Sequence, residues 1–181
     1  MMKILLSPLL LLLGCLIAGI YGALHNQISY TVSPDYFHEF KYLQFRLDPY
    51  LPGRLGASIV GWMASWWMGG IIGFVLIPVG CVLPEPRTFF FGVLKAFGVA
   101  AITALVIGLG ALIVACVTLD SASVGEIVRY RNKISNPLEF ARAGTMHNFS
   151  YLGGLVGIIT GVVSIFVERK RVRLDSESLP K

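Results

Sequence analysis

Two short elements hold the residues best able to do chemistry. His25-Asn26-Gln27-Ile28-Ser29-Tyr30 and His147-Asn148-Phe149-Ser150-Tyr151 each open on a His-Asn pair and close on Ser-Tyr. Imidazole can bind a metal, shuttle a proton or exchange hydrogen bonds near neutral pH. Asp35, His38 and Glu39 follow the first element closely and could complete a site as ligands or acid/base groups. The candidate catalytic residues are thus His25, Asn26, His147, Asn148, Asp35 and Tyr151, and the candidate metal ligands are His25, His147 and Glu39. The plainer alternative is that each histidine caps a helix or bonds a backbone carbonyl at a polar boundary. No cofactor follows from either reading.

Other signatures are missing. Cys15, Cys81 and Cys116 all fall in apolar stretches, with no spacing suited to zinc or redox chemistry. There is no phosphate-binding glycine loop, nucleophile elbow or His-Glu-x-x-His. Asn148-Phe149-Ser150 matches a glycosylation acceptor but lies too near the expected membrane boundary.

The elements that must position these histidines are membrane spans. The chain of 181 residues is 55% hydrophobic and only 14% charged, against about 25% in an ordinary soluble domain. About 20 apolar residues in a helix cross the hydrocarbon core. Four uncharged runs reach that length: 4–24, 55–84, 96–119 and 148–167. The expected fold is an all-α membrane protein, a four-transmembrane-helix bundle forming one membrane domain. Its spans are placed at about 4–24, 60–84, 94–118 and 148–168. The first resembles a signal peptide at Lys3 but is too long in its apolar part, so it is expected to stay. On this layout both His-Asn pairs sit at one membrane level. No charge lies inside a run, which argues against a proton pump or ion-coupled carrier.

The second run would be about 45 Å long if wholly helical. Trp66 and Trp67 at the interface would shorten it, leaving Leu55–Gly61 outside the hydrocarbon; a tilted helix with its tryptophans packed inside is the alternative. Arg169, Lys170, Arg171 and Arg173 abut the last run, and the basic tail 169–181 places both termini in the cytoplasm by the positive-inside rule. The net charge of +5 is then an orientation signal, and no nucleic-acid partner is expected. The lipid bilayer is the expected partner.

The outer segments 25–54 and 119–147 are helical or irregular by this reading. Residues 28–32 alternate like a short strand, and Ser33-Pro34-Asp35 is a helix start. The aromatic stretch Tyr36–Phe45 then reads as a helix lying over the bundle, with Tyr36, Phe40 and Leu43 on one side. In the second segment Ser123 to Glu126 has capping-box spacing, and Ser135-Asn136-Pro137 starts another helix. Gly153, Gly157 and Gly161, and Gly14, Ala18 and Gly22, form ridges of small residues for close helix contact. That contact lies within the chain or, as the alternative, against a second copy or a membrane-protein partner.

The chain resembles a family of bacterial multispan inner-membrane proteins of unassigned function. The shared features are a His-Asn-Gln opening after the first span, then Ser33-Pro34-Asp35-Tyr36-Phe37, and a late His-Asn-x-Ser-Tyr-x-x-Gly entry, His147 to Gly154. The resemblance implies that the two His-Asn elements belong to one architecture and brings no activity with it. Three functions stay open: an accessory or binding protein with an outward His/Asn pocket, a membrane-embedded enzyme using His25 and His147, and a passive transporter component.

Overall fold

A computed structural model describes residues 2–48, 50–51 and 53–178. The end of the basic tail, residues 179–181, lies outside the described residues. Four long helices, α1 (Met2–Val32), α4 (Gly53–Gly80), α5 (Pro86–Thr118) and α7 (Pro137–Glu177), are each long and apolar enough to cross a membrane. The chain is an all-α four-helix membrane protein. Between α1 and α4 lie α2 (Pro34–Tyr36), one π-helical turn (Phe37–Lys41) and α3 (Tyr42–Phe45). Between α5 and α7 lie α6 (Ser121–Val124) and a two-residue antiparallel ladder, β1 (Val128–Arg129) on β2 (Asn132–Lys133).

The helices pack as two antiparallel pairs, and small residues explain why. On α1, Gly14 faces Gly69 of α4 and Gly22 faces Gly61. On α7, Gly153, Gly157 and Gly161 lie against Ala104, Ala100 and Ala96 of α5. A Cβ on Gly157 would come within 2.8 Å of the Ala100 carbonyl oxygen, so only glycine permits this approach. Backbones this close supply dispersion contact that apolar lipid cannot outcompete. Both ridges are therefore occupied inside the chain. Trp62, Trp66 and Trp67 are 40%, 48% and 46% exposed, which places them on the outside of α4 rather than inside the bundle.

Start and stop signals fix the ends. Pro86 and Pro137 occupy the first turns of α5 and α7, where a missing N–H costs nothing. Arg142 donates to the carbonyls of Cys116 and Leu119 at the end of α5, and Lys3 donates to those of Cys81 and Leu83 after α4. Lys95 pairs with Glu168 at 3.0 Å near that same end, where the exposed arginines of α7 begin.

Three local expectations change. Residues 28–32 are helical, because His25, Asn26 and Ser29 share one face that finds partners, whereas a lone strand would leave its backbone unpaired. Asp120, not Ser123, caps α6: its side chain accepts from Ser123 N at 2.7 Å, with Ser123 in the third helical position. The aromatic stretch is not one α-helix. Its π turn shifts the register, so Tyr36 and Phe37 are buried and Leu43 is exposed.

Two apolar cores result. One, around Leu10, Leu76, Phe89, Val93 and Ile165, lies at the end where α1 starts and α5 begins. The other, around Tyr36, Phe37, Ala57, Ile134 and Phe140, lies under the two long connections.

Candidate functional site

His25 stands on the last two turns of α1 and His147 on the third turn of α7, at the end covered by the connecting segments. Their rings meet edge to face, with centroids 4.8 Å apart. Both are buried, at 4% and 7% exposure. The bonds around them cross between helices. His25 Nε2 lies 2.8 Å from Ser150 Oγ of α7, and His147 Nε2 lies 3.0 Å from Ser29 Oγ of α1. Each His-Asn element thus supplies a histidine to the other element's serine. Helical spacing makes this exchange available: Ser29 is four residues after His25 and Ser150 three after His147, so each pair shares a face.

Asn26 is buried and donates to the Ala57 carbonyl at 3.0 Å, tying α1 to α4, while its Oδ1 stands 3.4 Å from His25 Nδ1. Gln27 bonds the Arg54 carbonyl at 2.9 Å and Ser58 Oγ at 2.8 Å. The covering segment packs onto the pair from above. Ser33 caps α2 by accepting from Tyr36 N at 3.2 Å, which sets Tyr36 flat on His147 with centroids 4.8 Å apart. Burial pushes the Tyr36 phenol well above its ordinary range, so it stays a neutral lid.

The remaining candidates separate. Tyr151 lines the cavity below the pair although it is half exposed. Asn148 is exposed and off the cavity. Asp35 accepts from Asn136 N at 3.2 Å and so fastens the covering segment to the start of α7. His38 meets the Tyr30 hydroxyl at 3.0 Å. Glu39 is half-buried on the π turn and does not line the cavity. Among the described residues no three His, Cys, Asp or Glu side chains converge as a metal set. Besides Lys41, Ser150 is a site residue that sequence reading passed over. Its signal was the spacing from His147, masked by the glycosylation pattern that shares the serine.

Beneath the pair a cavity of about 90 Å³ runs between the two helix pairs. Its head is formed by His25, Ser150, Tyr151 and Lys41, its deep end by Gly14, Ile72 and Phe97. The lining is mostly apolar. Lys41 reaches over the rings of Phe40 and Tyr36, at 4.5 and 5.5 Å from their centroids. Burial holds its amine below the usual lysine range. The Tyr21 hydroxyl is buried against the cavity beside Ser150.

Fold and site together define a four-span membrane protein with a buried His/Ser exchange above an interhelical cavity. No protein-family profile, curated protein or solved structure matches the chain.

Proposed function

We propose that the protein is a binding protein of the bacterial inner membrane that holds a small ligand in the cavity under His25 and His147. The observation that carries this reading is the cavity itself, large enough for several waters yet mostly apolar, headed by two buried imidazoles. The exposed Arg169, Lys170, Arg171 and Arg173 at the opposite end support a cytoplasmic side there and a periplasm-facing site, by the positive-inside rule. Native mass spectrometry tests the binding. The wild-type protein, as purified or after incubation with cell extract, should carry an adduct that Ala101→Trp, which fills the cavity, does not. A bare wild-type mass under both conditions contradicts the reading.

One observation favours a second reading, an acyl-transfer enzyme. At 2.8 Å, His25 Nε2 is within reach to take the proton of Ser150 Oγ as the hydroxyl attacks a carbonyl. A fluorophosphonate that labels Ser150, and fails to label the His25→Gln protein, would establish it. Absence of labelling leaves the binding reading. Transport is the weaker alternative, because the cavity closes on apolar Phe97 and Ile72 rather than on a polar path.

A further inference from the structure

We propose that the ligand is a single-chain lipid with an anionic head, seated with its head at Lys41 and Tyr151 and its chain along the small-residue trough below. This rests on the binding reading and names the class of molecule bound. Three features of the cavity argue for it.

The first is polarity by depth. Most polar residues gather at the head, while the walls below, apart from Ser65 beside Gly22, are Gly14, Ala18, Ala100 and Ala104, ending on Phe97. An apolar cavity of this kind holds water poorly, and hydrocarbon fills it at no polar cost.

The second is shape. The lining on α1 extends from Asn26 to Gly14, which at 1.5 Å per residue is roughly 18 Å, more than half of a bilayer's hydrocarbon thickness. Spread over that length, about 90 Å³ leaves a slot one chain wide. Two acyl chains do not fit side by side.

The third is charge. Lys41 is half-buried among aromatic rings, and among the described residues it makes no ion pair; its hydrogen bond is to Gln44 Oε1 at 3.0 Å. A partly desolvated cation at the mouth of an apolar slot is completed by an anion, and charge-assisted bonds of this kind exceed neutral ones. His25 cannot supply that contact, since both its nitrogens already face Ser150 and Asn26.

The test is binding of a photoreactive long-chain fatty acid to the full-length protein in detergent, with mapping of the labelled peptides. Label should fall on the trough-facing stretches of α1 and α5. Lys41→Met should weaken binding about tenfold, the loss of one charge-assisted contact, and Ala101→Trp should abolish it with Lys41 intact. A neutral alcohol of equal length should bind about as weakly to the wild type as the acid binds to Lys41→Met. Equal affinity for acid and alcohol, labelling outside the trough, or full competition by a diacyl phospholipid would each overturn the proposal. A non-lipid adduct in native mass spectra with no fatty-acid binding overturns it and leaves the binding reading standing. A bare protein removes both.

Discussion

At the scale of the residue, the crossed pairs His25–Ser150 and His147–Ser29 do two jobs with one set of atoms. They satisfy three buried polar side chains, His25, Ser29 and His147, and the half-buried Ser150, and they lock α1 to α7. A buried acceptor or donor left without its partner costs about 1–3 kcal/mol. Ser29→Ala should therefore lower the melting temperature in detergent, and Ser29→Ala combined with His147→Phe should recover part of the loss, because the orphaned nitrogen is gone. If the double variant melts below the single, the bond is not what holds His147. Lys41 gives a pH signature of known sign. Its folded-state affinity for a proton is lowered by burial, so the unfolded chain holds that proton more tightly. Stability relative to Lys41→Met should rise as pH climbs from the lowered value toward the ordinary lysine range, where the penalty for the buried charge disappears. A flat difference across that window contradicts the burial.

Elements tell a similar story through backbone contact. The α5–α7 pair is held by Gly153 and Gly157 against Ala104 and Ala100, with no room for a side chain between them, and more loosely by Gly161 beside Ala96 and Leu76. Gly157→Leu should separate the pair and lower the melting temperature sharply, whereas Val163→Leu, on a face 54% exposed, should change it little. Equal melting temperatures would mean that the ridge contributes nothing. These ridges were legible because small residues at every fourth position are a helix signal whatever surrounds them. The covering segment was only half legible. Ser33 and Pro34 mark its start locally, but the π turn over Phe37–Lys41 depends on Tyr36 and Phe37 finding His147 and Phe140, partners far along the chain. The same holds for residues 28–32. Their alternation resembles a strand until Ser29 meets His147, and that contact decides for helix.

Across the whole molecule, composition and run length carried the four spans, since the bilayer sets one length for every helix. Sequence also put the two histidines at one level, but not which groups they touch: the serine exchange and the departure of Asp35 to Asn136 require knowing how α1 and α7 are rotated. Orientation is tested with reporter fusions after Asp48, Glu85, Ser135 and Ser178. Periplasmic activity is expected at Asp48 and Ser135 only, and activity at Glu85 or Ser178 would invert the protein. The site's existence rests on one proximity, and the chain has only three histidines with which to measure it. Protein labelled with ¹³C and ¹⁵N on histidine alone, in lipid nanodiscs, should show a through-space ring-to-ring correlation that disappears in both His25→Gln and His147→Gln and persists in His38→Gln. No correlation between His25 and His147, or one that follows His38 instead, would contradict the shared site.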